Sequence, residues 1–213
     1  MSKEKPISFT AAMIKARREG RKSVTRRVIK LPYRAPPLRW EYDGISGDEH
    51  AFVLTNGTTN YNYHFVKPRY NVGDLLWVKE SYCHGIEWDD CKPSEVDPLC
   101  GGNDIWYFAD GERPTEGWGK KRSSRFMPKW VARTWLEVVS VRPERVQDIS
   151  PEECYAEGIE SQFSKDYINR ENIPVMPLIK RFIRLWDSIN AKRGYPWVSN
   201  PFVWRIEFKE YSR

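Results

Sequence analysis

The chain has 213 residues, of which 30% are charged, and its formal net charge is +6. That length suffices for one well-buried domain, or one domain with a large insertion. No run of roughly eighteen apolar residues is present, which excludes a membrane-spanning helix, and Met1-Ser2-Lys3-Glu4-Lys5-Pro6 lacks the apolar core of a secretion signal, so a cytoplasmic protein is expected.

In chain order, Ile7-Ser8-Phe9 is a short extended segment, after which Thr10 caps a helix running to about Glu19, with Gly20 as its stop. Lys22 to Ile29 is expected as a second short helix or helical turn, with Lys22 and Thr25 on one side. Leu31-Pro32-Tyr33-Arg34-Ala35-Pro36-Pro37 breaks any helix. Ala51–Thr55, the Asn56-Gly57 turn and Tyr61–Val66 read as a β-hairpin. Gly73-Asp74 is a second turn signal leading into a buried strand, Leu75–Glu80. Residues 84–126 are irregular apart from a strand at Ile105–Phe108, and form a long insertion or lid.

Trp130 to Val141 is the longest strand candidate. Ser150, Pro151 and Glu153 then compose a helix start with a capping box, and Gly158 ends that helix. Leu178, Ile179, Phe182, Leu185, Trp186 and Ile189 make one apolar stripe of an amphipathic helix. Phe202–Phe208 alternates as a terminal strand. Six or seven strands and three or four helices, without regular alternation, favour an α+β domain around a mainly antiparallel sheet or small barrel.

Charge is segregated along the chain. Residues 15–39 carry ten Lys or Arg against Glu19, whereas residues 84–116 carry nine acids against Lys92 and Arg113. Such separation suggests one face made for a polyanion, or an acidic segment folded over the basic one. Cys83, Cys91, Cys100 and Cys154 are expected as free thiols. Cys83, His84, Cys91 and Cys100 lack the Cys-x-x-Cys knuckle of a zinc site, so no metal and no cofactor is implied. Most of the ten tryptophans, including Trp77, Trp135, Trp186 and Trp204, suit a core.

Chemistry concentrates in Gly20-Arg21-Lys22-Ser23-Val24-Thr25-Arg26-Arg27 and in Gly73-Asp74-Leu75-Leu76-Trp77-Val78-Lys79-Glu80. A threonine hydroxyl attacks only after a base takes its proton. Lys22 would serve as that base once neutral, and shifting lysine from about 10.4 to near neutrality requires about 4 kcal/mol of selective destabilisation of the ammonium. Arg21, Arg26 and Arg27 are the nearby charges that would do so, and Glu80 would assist the leaving group as an acid. The plain alternative is an ion pair between Lys22 and Glu80, with Thr25 as a local cap.

Gly20-x-Lys22-x-x-Thr25 after a helix, followed by Gly73-Asp74-x-x-x-Val78-x-Glu80 on a strand, resembles the ASCH family of PUA-like domains. Arg26-Arg27, Leu76-Trp77-Val78-Lys79-Glu80, Met127-Pro128-Lys129-Trp130, Leu185-Trp186-Asp187-Ser188-Ile189-Asn190 and Asn200-Pro201-Phe202-Val203-Trp204 are similar to a bacteriophage and prophage branch. The resemblance implies one domain over residues 1–213: a small β-barrel of about six strands with flanking helices and insertions at about 31–70 and 84–125. It implies a basic cleft for RNA, DNA or a modified nucleoside, with Arg21, Arg26, Arg27, Lys120, Lys121, Arg122 and Lys129 as nucleic-acid contacts. One small family member is an N(4)-acetylcytidine amidohydrolase, and its catalytic Lys, Thr and Glu correspond to Lys22, Thr25 and Glu80. Other members look like ribonucleases. Hydrolysis of an acylated base is therefore the alternative to binding, and a phage accessory protein docking on a host protein through the acidic segment, in the host cytoplasm, is a third reading.

Overall fold

A computed structural model describes residues 3–32, 38–101, 104–114, 116–160 and 175–212. The Pro36-Pro37 break lies outside the described residues. The first half contains β1 (Glu4–Ser8), α1 (Ala11–Arg18), β2 (Val24–Val28), β3 (Arg39–Ser46), β4 (Glu49–Thr55), β5 (Asn60–Val66), β6 (Leu75–Lys79) and β7 (Tyr82–His84). After it come α2 (Pro98–Gly101), β8 (Ile105–Tyr107), β9 (Trp135–Arg145), α3 (Pro151–Ala156), α4 (Val175–Asn190) and β10 (Phe202–Glu210). The architecture is α+β and dominated by strands.

Five strands form the main sheet in the order β1-β6-β9-β10-β2. β9 and β10 are its antiparallel spine, running from Phe202 opposite Arg145 to Glu210 opposite Leu136. β1 is parallel to β6, whereas β2 pairs antiparallel with β10, placing Thr25 opposite Ile206. The sheet does not close into a barrel: β1 and β2 remain as edges. They nevertheless approach each other, because Arg27 of β2 donates from Nη2 to Ser8 O at 3.2 Å. A second sheet, β3-β4-β5, stands beside it, and β7 pairs with β8.

Local chemistry accounts for most boundaries. Thr10 Oγ1 accepts the Met13 N–H at 3.3 Å and starts α1. Ser150 Oγ accepts from Glu153 N at 3.2 Å while Glu153 Oε2 accepts from Ser150 N at 3.4 Å, the capping box expected at α3. Asp74 ties the turn before β6 to the start of β1, accepting from Lys5 Nζ at 2.6 Å, Asn71 N at 2.8 Å and Lys3 N at 3.3 Å. Burial would raise the Asp74 carboxyl, but Lys5 and those two N–H groups hold it below the ordinary carboxylate value.

Besides β7 and the single turn α2, neither of which was expected, three elements differ from the sequence expectation. The Lys22–Ile29 segment holds a strand rather than a helical turn. A single helical turn is costly to nucleate, while Val24 and Val28 favour extended backbone and β10 offers a ladder of partners. β3 adds a third strand to the expected hairpin, and its bulge between Tyr42 and Gly44 interrupts the alternation that would have marked it. β9 starts at Trp135, because Lys129–Val131 is a 3-10 turn following Pro128.

The main core joins Ile7, Phe9, Ile14, Leu76, Val78, Leu136 and Ile206 with Trp40, Phe52 and Leu54 from the second sheet. A second cluster sets Leu178, Phe182 and Trp186 of α4 against Val146, Cys154 and Val203. The predicted stripe of α4 is thus its buried face, except that Ile189 is 38% exposed.

Candidate functional site

Lys22 leaves α1 and enters the interior, 1% exposed. Its ammonium has three protons and three acceptors: Val24 O at 2.8 Å, Glu157 O at 2.8 Å and Glu157 Oε2 at 3.0 Å. Gly158 makes this approach feasible. At φ +94° it turns the end of α3, and a Cβ there would lie 2.9 Å from Ala16 Cβ and 3.4 Å from Lys22 Cβ. Burial lowers the Lys22 pKa, Glu157 opposes that, and Arg27 and Arg26 reinforce it.

Arg26 extends the cluster. It donates from Nε to Glu144 Oε1 at 2.7 Å, from Nη2 to Glu153 Oε2 at 2.5 Å and from Nη1 to Glu157 Oε1 at 3.3 Å. Arg205 Nε reaches Glu153 Oε1 at 2.7 Å. Arg142 joins at 3.4 Å from both Glu144 and Glu153, so Lys22, Arg26, Arg142 and Arg205 face Glu144, Glu153 and Glu157, four cations against three carboxylates.

Glu80 belongs to a different constellation. Arg133 grips its carboxylate with Nε to Oε1 and Nη2 to Oε2, both at 2.9 Å. The same guanidinium binds Asp110 and lies 3.7 Å over the Tyr107 ring. Burial would lower the Arg133 pKa, but Glu80 and Asp110 raise it above the ordinary arginine value. Among the described contacts, Lys22, Thr25 and Glu80 share no hydrogen bond or ion pair, and the Lys22–Glu80 pair expected as the plain alternative is replaced by Lys22–Glu157 and Glu80–Arg133. Asp110 also meets Arg18 at 2.6 Å, one ion pair between the acidic and the basic segments.

The remaining predicted cations divide by what already holds them. Arg21 donates to Glu19 and to Gly158 O, and Arg122 is buried, donating to Cys91 O and Trp88 O. Lys129 pairs with Glu4. Lys120 and Lys121 line an open groove of about 680 Å³ beside Lys92 and Phe126.

Arg27 alone among them lines a cleft of about 840 Å³ between the β1 and β2 edges. Lys30 follows β2, Lys67 and Arg69 come from the β5–β6 connection, Lys79 ends β6, and Arg125 and Arg193 enter from distant turns. No described residue lining the cleft is acidic. Lys67 pairs with Asp48 at 2.9 Å and Lys79 donates to Arg125 O, while Lys30, Arg69, Arg125 and Arg193 have no ion pair among the described residues. Burial lowers the Arg27 pKa; Glu157 and Tyr70 oppose this, while Arg193 and Arg69 add to it. Burial and Arg69 likewise lower Lys79. Mutual repulsion of this kind is relieved by a bound anion.

A smaller pocket of about 140 Å³ shares Arg27, Val28, Lys30 and Arg193 with the cleft and is lined also by Thr25 and Glu157. Sequence reasoning missed Glu157 and Arg133 as partners, and six of the cleft cations as site residues. No short motif links those six, since they come from separate parts of the chain. Comparison with family models, curated proteins and solved structures finds no match to this chain. Among the described residues, no helix is long and apolar enough to cross a membrane.

Proposed function

We propose that the chain is an ASCH-type, PUA-like domain that holds nucleic acid, or a modified nucleoside within it, in the cleft between β1 and β2. One observation carries the reading: the cleft wall collects seven basic side chains and no described acid. An opening of about 840 Å³ lies in the size range of ligand sites, which run from about 300 to 1,000 Å³. The motif blocks that resemble the family supply β2 and β6, and Arg27, Lys30 and Lys79 reach the cleft from those strands or just beyond them.

The test is fluorescence anisotropy with labelled RNA and DNA single strands of about twelve nucleotides, titrated against salt. Affinity should fall steeply between about 50 and 200 mM salt, with a slope near 0.7 per phosphate contacted. Arg69→Ala/Arg193→Ala should weaken binding and flatten that slope. Absence of binding at low salt, or a double variant indistinguishable from wild type, would sink the proposal.

Hydrolysis of an acylated base retains one support, the position of Thr25 in the pocket adjoining the cleft. Lys22 could accept the Thr25 proton only after losing one of its own, and with it one of its three hydrogen bonds. Loss of an acyl mass from a panel of N-acylated nucleosides, abolished by Lys22→Ala and Thr25→Val, would establish it; an unchanged panel removes it.

A further inference from the structure

We infer that Tyr61, Tyr63 and Phe65 on β5 form a base-stacking track that continues the cationic cleft and selects single-stranded over duplex nucleic acid. The inference rests on the nucleic-acid reading above and adds the polymer form and its path. These three residues occupy alternate positions of one strand, so they share a face, with a spacing of roughly 6.7 Å along the chain. They are 52%, 51% and 47% exposed, although rings of this size are ordinarily covered. The Tyr63 and Phe65 rings lie nearly parallel, at 21°, with centroids 6.2 Å apart.

The opposite face of the same sheet explains why these rings are not core. Trp40, Phe52 and Leu54 point inward to the main cluster, and Val66 packs there with them. β5 is also an edge strand with no charged residue between Asn60 and Val66. Edges of that kind are normally blunted by charge or cover, so exposed aromatics at one imply a partner. Charge decides which partner. Lys67 and Arg69 lie two and four residues beyond Phe65, and both line the cleft, as does Tyr70. Aromatic faces leading into a groove whose described charged residues are all cations match bases leading into phosphates. A duplex conceals its base faces, so only unpaired bases have faces free for the track.

The experiment compares three proteins by anisotropy: wild type, Tyr63→Leu/Phe65→Leu and Arg69→Ala/Arg193→Ala. Leucine keeps apolar bulk on the strand and removes the ring faces, and thermal melting checks that the fold is retained. The probes are single strands of about four and about twelve nucleotides and a duplex of the longer one. We expect wild type to prefer the longer single strand over both other probes. The leucine variant should lose about tenfold or more on the longer strand, while keeping the salt slope and its affinity for the shorter one. The arginine variant should weaken and flatten both. Wild-type affinity of the leucine variant for the longer strand, or equal binding of duplex, overturns the track while the cleft stands. Failure of wild type to bind any strand overturns the nucleic-acid reading and the track together. A leucine variant altered only in self-association, measured by sedimentation, overturns the track in favour of strand pairing between proteins.

Discussion

Two clusters of basic side chains lie on either side of β2, and their surroundings are opposite. On one side Lys22 and Arg26 are buried and meet Glu144, Glu153 and Glu157. On the other, Arg27, Lys30, Arg69 and Arg193 gather around an open cleft with no described acid on its wall. Successive strand side chains point to opposite faces, so Arg26 pairs with three carboxylates while its neighbour Arg27 lines the cleft; the two systems meet at the smaller pocket, which both line with Glu157. Matched charges hold α3 and the sheet together, and removing one partner leaves the others buried and uncompensated. Unmatched cations repel one another, which is a cost to the free protein and an affinity for an anion.

The largest expected effect is on the matched side. Glu157→Ala strips Lys22 and Arg26 of a shared carboxylate and should destabilise the protein by about 3–5 kcal/mol, read from the urea midpoint at constant m. A loss under about 1 kcal/mol would mean that the cluster does not tie α3 to the sheet.

Asp74→Asn tests a second matched charge and should cost about 1.5–3 kcal/mol at neutral pH, since charged hydrogen bonds to Lys5 and two N–H groups are lost. The native carboxyl lies below its ordinary value of 3.8, so its stabilisation is complete above that value and disappears as pH falls through the lowered one. The gap between wild type and variant in urea melts should therefore close in acid. A gap unchanged at low pH would contradict the assignment.

On the unmatched side, Arg69→Ala/Arg193→Ala should leave stability unchanged or slightly raised, and reduce oligonucleotide affinity about tenfold with a smaller salt slope. Marked destabilisation of this variant would erase the contrast between the two clusters. The smallest effect is expected for Thr25→Val in binding, about 0.5–1.5 kcal/mol for one hydrogen bond, measured by anisotropy. A much larger loss would shift the functional centre from the cleft into the smaller pocket beside it.

Local signals were legible where a residue acts on its near neighbours. The Thr10 cap, the Ser150–Glu153 box and the α4 stripe depend on positions within a few turns, and each appears as read apart from the exposed Ile189. The Lys22–Ile29 segment misled for the opposite reason. Its spacing fits a helical turn, but the decisive partner is β10, about 180 residues away in the chain. Lys22, Arg26 and Glu80 were legible as unusual charged positions, yet their partners Glu157 and Arg133 were not, because ion pairing is settled by packing. Arg122 illustrates the same point: within a surface-like Lys-Lys-Arg run, it is buried against the carbonyls of Trp88 and Cys91.

By itself, then, the sequence determined the α+β class, most helix and strand locations, the excess of positive charge and the two motif blocks. Those properties follow from periodicity, capping and turn chemistry, which act over short stretches of chain. Tertiary structure decided that the main sheet stays open, that Lys22 faces Glu157, and that cations from β2, β6 and distant turns share one cleft. Each of these depends on which surfaces meet when the core closes, and short-range periodicity carries no record of that.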